Sequence, residues 1–216
     1  MKVLVACEES QRVCTAFRER GHIAYSCDIQ EPSGGHPEWH ILGDVLDVLD
    51  GGGFDTMDGQ SRYVQAWDII IAHPPCTYLT AAGACRMYPH KGQIDPERYE
   101  KAMDARRFFM RLYNAPCERV CVENPRPLKV CKLPPPTQVI QPYEYGHPYS
   151  KATCLWLHGL PPLRPTKIIK DYEPYACTGS GKPGVSRRGG AAKIRSKTFE
   201  GIAQAMAEQW GGTGND

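Results

Sequence analysis

Ile69-Ile70-Ile71-Ala72-His73-Pro74-Pro75-Cys76-Thr77 is an apolar run that breaks at a diproline and then presents a cysteine. A short apolar run bounded by proline reads as a fully buried strand, and the first proline turns the chain out of it. Cys76 therefore falls just past a strand end, where α/β sheets keep their ligand sites. A thiol there is either a nucleophile or a small buried hydrophobe, since cysteine is among the residue types most often buried. A second apolar run, Val120-Cys121-Val122, ends in Glu123-Asn124-Pro125. Two buried strands would then bring a thiol and a carboxylate, each beside a proline, toward one edge.

Upstream, residues 2–7 read as a first strand. Glu8-Glu9-Ser10 opens a helix over 10–20, with Val13, Ala16 and Phe17 at helical spacing and Gly21 at its C-terminal end. His22 to Cys27 reads as a second strand ending in Asp28, which follows Cys7 by 21 residues. That is near the separation at which a second-strand acid meets ribose hydroxyls in nucleotide-binding α/β units; a plain loop residue is the other reading. Glu31 to Pro37 is a loop by its turn residues. Trp39 to Val45 is a short strand with Asp44 at its end, and Gly51 to Gln65, glycine-rich and polar, reads as a surface insertion.

Downstream of Cys76, Tyr78 to Gly92 has no clear period and is either a loop that closes over a substrate or an ordinary surface connection. Asp95-Pro96 starts a helix with an N-cap and a first-turn proline. Tyr99, Ala102, Met103, Arg106, Met110 and Tyr113 form its stripe, a core-packing pattern, and it ends near Asn114-Ala115-Pro116. Leu128 to Pro136 is proline-rich and extended. Gln138–Gln141 and Thr153–Leu157 read as two strands of a hairpin-like unit joined by Pro142 to Lys151. Thr198 to Trp210 is an amphipathic helix through Phe199, Ile202, Ala203, Met206 and Trp210. Strands alternating with helices give an α/β class.

At 216 residues the chain is the size of one ordinary domain, 1–216. Its 26 basic and 24 acidic residues nearly cancel, so total charge does not announce a nucleic-acid protein. The distribution says more: from His158 to Arg195 eight Lys/Arg face two acids, a local excess of +6. Within it, Gly179 to Gly190 is either a solvated loop or a contact to a phosphate backbone. Ten cysteines could suggest disulfides, but Met1-Lys2-Val3-Leu4-Val5-Ala6 reads directly as a strand and not as a signal peptide, so a reduced cytoplasmic setting is expected. The cysteines lack the paired C-x-x-C form, so no metal site is expected. No apolar stretch approaches the ~18 residues of a membrane helix.

Pro74-Pro75-Cys76 and Glu123-Asn124-Pro125, in that order and about 50 residues apart, resemble the two catalytic signatures of the DNA methyltransferases that act on carbon 5 of cytosine. Asp28 and Gly43-Asp44-Val45 fall where that family places its adenosylmethionine acids. The helix after Ser196-Lys197-Thr198 is similar to the family's last motif, which packs back against the cofactor strand. The resemblance implies a Rossmann-like class I methyltransferase fold, a mixed and mostly parallel sheet flanked by helices. A short basic segment, 158–195, stands in place of a target recognition domain. It implies S-adenosyl-L-methionine as cofactor, held by Cys7, Glu8, Asp28, Ile29, Asp44, Val45 and Pro74. The partner it implies is duplex DNA with a flipped cytosine, in a bacterial or phage-infected cell. Cys76 becomes the nucleophile that attacks carbon 6. Glu123 holds the ring at nitrogen 3 and the exocyclic amine. Asn124 and Pro125 shape the turn presenting it, Pro75 precedes the thiol, and Lys151 is the cation nearest to where the family has arginines.

Four departures qualify that picture. The first turn, Ala6-Cys7-Glu8-Glu9-Ser10-Gln11, has no glycine, so its side chains are expected to crowd the cofactor's methionine moiety. Gln141-Pro142-Tyr143-Glu144-Tyr145 offers no arginine, and His73 is unusual before the diproline. A recognition segment under 40 residues predicts low sequence specificity, a short site, or help from a recognition partner or a second copy. Two other readings remain: pyrimidine carbon-5 modification of RNA or a free nucleotide, and a catalytically inactive binding protein that retains the fold.

Overall fold

The computed structural model describes residues 1–175 and 196–212. Its strands are β1 (Lys2–Ala6), β2 (Ile23–Asp28), β3 (His40–Leu42), β4 (Gly52–Asp55), β5 (Ser61–Val64), β6 (Ile69–Ala72), β7 (Val120–Pro125), β8 (Gln138–Ile140), β9 (Tyr149–Ser150), β10 (Thr153–His158) and β11 (Glu173–Pro174). The helices are α1 (Arg12–Glu19), the single turn α2 (Ala84–Met87), α3 (Pro96–Tyr113) and α4 (Glu200–Gly211). Seven strands form one sheet in the order β3-β2-β1-β6-β7-β10-β8. The first five pair in parallel, and β10 runs antiparallel to both β7 and β8. This is the mixed, mostly parallel, Rossmann-like sheet that the family resemblance implies.

The sheet is covered on both faces, which explains why its central strands are apolar at every position. Side chains alternate across a strand, so β6 sends Ile69 and Ile71 to one face and Ile70 and Ala72 to the other, all of them fully buried. Each such isoleucine contributes roughly 1.5–3 kcal/mol by leaving water. On the first face Val3, Val5, Ile69, Ile71 and Cys121 meet α1 and α4 through Phe17, Ile202, Met206 and Trp210. On the second, Leu4, Ile70, Val120 and Val122 meet α3 through Phe109 and Leu112, with Trp156 packed edge-on against Phe109.

Several local readings shift. Gly51 to Gln65 is not an irregular insertion but an antiparallel hairpin, β4 with β5, whose Phe54 and Val64 turn inward against Tyr25 and Trp67. Isolated apolar residues among glycines hid it. Tyr78 to Gly92 is tied down by the buried Leu79 and Met87 and contains a 3-10 turn and α2. α3 begins at the expected cap, with Arg98 N–H donating to Asp95 at 2.7 Å. Its fully buried residues are Ala102, Phe109 and Leu112, so the stripe is rotated from the one read in sequence. Strands 138–141 and 153–157 do pair, and β10 also inserts beside β7. The reading of Gly179 to Gly190 lies outside the described residues, as does the basic segment beyond Tyr175. No helix among the described residues is long and apolar enough to cross a membrane, and no cluster of His, Cys, Asp or Glu there could hold a metal ion.

Candidate active site

The carboxyl ends of β1, β2, β3 and β6 open onto one cleft of about 490 Å³. Strand order reverses between β1 and β6, the switch point at which α/β sheets leave a crevice. Cys7, Glu8, Asp28, Ile29, Asp44 and Val45 all line it, as do Pro75 and Cys76. Pro74 does not: it is buried, and its carbonyl accepts a 2.8 Å bond from Asn124 Nδ2.

The turn after β1 shows how a glycine-free sequence makes a turn of this kind. Cys7 (φ 58°) and Gln11 (φ 57°) both take the left-handed conformation that glycine adopts without cost. Gln11 is fully buried and locked by its own amide, which donates to Ser26 Oγ and His36 O and accepts from His36 N–H. Glu8 folds away to cap α1, accepting from Val13 N–H at 2.7 Å and Cys14 N–H at 3.1 Å. Burial nonetheless holds the Glu8 carboxyl above its ordinary range, against the pull of His73 and those two N–H groups. Glu9 is buried as well, and neither of its oxygens has a hydrogen-bond partner among the described residues. The Glu8 carboxylate is thus turned toward the helix, while Cys7, Glu8 and Glu9 still line the cleft.

Asp28 and Asp44 sit side by side because Gly43 N–H donates to Asp28 O. Asp28 Oδ1 accepts from Gln30 N–H, and Asp44 Oδ1 caps a short turn through Leu46 N–H. Beneath them His40 is buried, with Nδ1 bonded to Ser26 Oγ and Nε2 to Gln30 O. Burial keeps this imidazole below its ordinary pKa, so it acts as a neutral strut under the turn that carries Asp28 and Ile29. Ile29 is 79% exposed on the cleft wall.

Cys76 is exposed at the start of a tight turn, its carbonyl accepting from Leu79 and Thr80 N–H. That turn is stitched to the segment after β7 by Ala81 N–H to Arg126 O and Leu128 N–H to Leu79 O, and to α3 by Arg98 donating to Thr77 O. Glu123, the fourth of the six residues of β7, is not itself part of the cleft lining but meets the lining residue His73, with Oε2 3.1 Å from His73 Nδ1. Its burial raises the carboxyl pKa, but the His73 bond and charge together with Lys151 bring it below the usual carboxylate range. Lys151 donates its backbone N–H to Gln141 Oε1 and lies with Nζ 5.9 Å from the Phe199 ring. Asn124 is buried and acts on the backbone of the diproline.

The sequence reading noted His73 only as unusual and passed over Glu9, Phe108 and Thr77, which also line the cleft. What singles out His73 is strand pairing, which no local pattern in the sequence reports. The parallel register pairs Ile70 with Val120, Ile71 with Cys121 and Ala72 with Val122, a constant offset that carries on to His73 and Glu123. Ser196, Lys197 and Thr198, which precede α4, also line the cleft.

No protein-family model matches the chain. No curated protein matches it either. Among solved structures, it is similar to one described as a candidate DNA modification methyltransferase encoded within a prophage in E. coli, at 13% identity and a TM-score of 0.43, over 78% of this chain and 52% of that one. The chain spans about half the length of that structure.

Proposed function

We propose that the protein is an S-adenosylmethionine-dependent methyltransferase that acts on carbon 5 of cytosine in DNA through a covalent adduct at Cys76. The observation that carries this reading is the convergence of an exposed thiol and two strand-end acids on one cleft, with a buried carboxylate on the adjacent strand. The lining suits the cofactor: Asp28 and Asp44 offer acceptors for hydroxyl and amine groups, and the exposed Ile29 offers an apolar face to a flat ring. Adenosylmethionine would supply the methyl group on a sulfonium.

Carbon 5 of cytosine is a weak nucleophile. Cys76 Sγ adds to carbon 6 as a thiolate, which moves electron density to carbon 5 and lets it take the methyl group. Loss of the carbon-5 proton and of the sulfur then restores the ring. Glu123 binds the edge with nitrogen 3 and the exocyclic amine, and it must bind the adduct better than the free base to accelerate the reaction. Asn124, tied to Pro74, holds the chain between the carboxylate and the thiol. Reaching a base in duplex DNA requires flipping it out, at a cost of a few kcal/mol.

The test is mechanism-based trapping. Protein, adenosylmethionine and DNA carrying 5-fluorocytosine in many contexts are incubated, and a denaturation-resistant adduct is sought by mass spectrometry. Fluorine cannot leave as the proton does, so the enzyme stays on its substrate. An adduct at Cys76, absent in Cys76→Ser, supports the reading. Trapping on 5-fluorocytosine RNA or 5-fluoro-dCMP alone moves the substrate class, and no adduct on any of the three, from folded protein, overturns the reaction.

A further inference from the structure

His73 and Glu123 form an ion pair inside the protein, their side chains only 9% and 13% exposed. Among the described residues His73 gives Glu123 its hydrogen bond, and in a buried site desolvation makes an unbonded orientation of that oxygen costly. We propose that His73 is the positioning residue of Glu123: its Nδ1–H holds Oε2 and leaves Oε1 as the oxygen turned to the base, an inference that rests on the methyl-transfer reading above.

Four observations support the assignment. The pair follows from strand register, since β6 and β7 advance in step with a constant offset and His73 and Glu123 are the next residues after Ala72 and Val122. His73 itself lines the cleft three residues before Cys76, so one short segment carries both the thiol and the group that orients the carboxylate. His73 N–H donates to Ala6 O at 2.9 Å, which pins its backbone to the central strand. The imidazole also feels the charge of two carboxylates, Glu123 on β7 and Glu8 in the turn after β1, with Lys151 before β10 as the opposing cation. Burial alone lowers the His73 pKa, but Glu123 and Glu8 outweigh it, against Lys151, and raise it above its ordinary value. Glu123 is lowered in the same arrangement, so both partners favour the charged pair.

The experiment has two arms, and the first needs no turnover. Imidazole nitrogen resonances of His73 are titrated in the wild type and in Glu123→Gln. The midpoint is expected to fall by about one pH unit or more when the carboxylate is neutralised. The second arm follows the rate of 5-fluorocytosine adduct formation against pH. His73→Phe, checked for folding by circular dichroism, is expected to slow adduct formation by about 100-fold, the scale of a misplaced catalytic group. His73→Gln keeps an N–H donor without the charge and should recover part of that loss while abolishing the decline that the wild type shows as pH rises through the His73 pKa.

A His73 midpoint unmoved by Glu123→Gln overturns the proposal, as does a folded His73→Phe variant with wild-type rate and pH profile. If wild-type protein traps no substrate, the methyl-transfer reading fails, while the titration still decides whether the pair exists.

Discussion

Asn124 Nδ2 donates to the carbonyl of Pro74 at 2.8 Å, across a separation of 50 residues. The bond ties the end of β7 to the diproline that launches Cys76, so thiol and carboxylate share one frame. Asn124→Ala would leave the Pro74 carbonyl buried without its donor, at about 1–3 kcal/mol. Chemical denaturation should show that loss, and trapping at Cys76 should slow with it; unchanged stability would mean that the diproline holds its course without the amide.

The His73–Glu123 pair sets a window in pH. His73 is raised above its ordinary 6.5, so its share of stability is complete below 6.5 and is lost as pH rises through the folded value. Glu123 is depressed below its ordinary 4.5, so its share is complete above 4.5 and is lost as pH falls through the folded value. The stability difference between wild type and His73→Phe should therefore be greatest between these two ordinary values and shrink on both sides. Urea midpoints measured from pH 3 to 9 test this, and a difference that rises steadily toward high pH would contradict the pair.

Asp44 caps the turn at Leu46, and under the proposed function it would also bind the cofactor; two substitutions separate the two roles. Asp44→Asn keeps an oxygen for the Leu46 N–H cap but removes the charge, whereas Asp44→Ala removes both. Adenosylmethionine binding, measured by calorimetry, should weaken in Asp44→Ala by about 1.5–3 kcal/mol, as when a charged hydrogen-bond partner is lost. Asp44→Asn should lose affinity with little loss of stability. Wild-type affinity in both would remove Asp44 from the cofactor site.

Gly34 lies against the locked side chain of Gln11. A Cβ there would fall 2.6 Å from Gln11 Cβ and 2.8 Å from the Ser10 carbonyl oxygen, closer than real Cβ atoms approach. Gly34→Ala should displace the 33–36 loop and lower stability by about 1–3 kcal/mol, as overpacking does. Gln11→Gly in the same background removes both Gln11 contacts, Cβ at 2.6 Å and Oε1 at 2.7 Å, and should give part of it back. Additive losses in the double variant would show that the two sites do not press on each other.

The segments that flank Cys76, 77–94 and 126–137, contain no acid, and they expose Arg86, Lys91, Arg126, Lys129 and Lys132. They are joined by the Ala81–Arg126 and Leu128–Leu79 bonds, which set the second segment beside the turn that begins at Cys76. Duplex DNA affinity should fall with salt at a slope of about −0.9 per phosphate contact, and Lys129→Ala or Lys132→Ala should each reduce the slope by about one. Fluorescence anisotropy over a salt series measures it; an unchanged slope in the double variant would place the phosphate contacts elsewhere.

The sequence by itself determined the seven strands of the main sheet, the cap at Asp95 and the final helix, because apolar runs and helical spacing report burial and period directly. It also determined that Cys76, Asp28 and Asp44 follow strand ends, since a proline, glycine or acid after an apolar run marks where a strand stops. The hairpin at 52–64 and the burial phase of α3 were not legible, because both depend on which surface a neighbour covers. Nor was the strand order, with β10 inserted beside β7. What only the tertiary structure decided is register: whether residue 73 or 75 stands across from Glu123 is set by how β6 and β7 pair, a contact between segments fifty residues apart. A slip of one residue would turn every side chain to the other face of the sheet. Burial of both faces forbids the slip, and so it places an imidazole against a carboxylate that no local pattern could have paired.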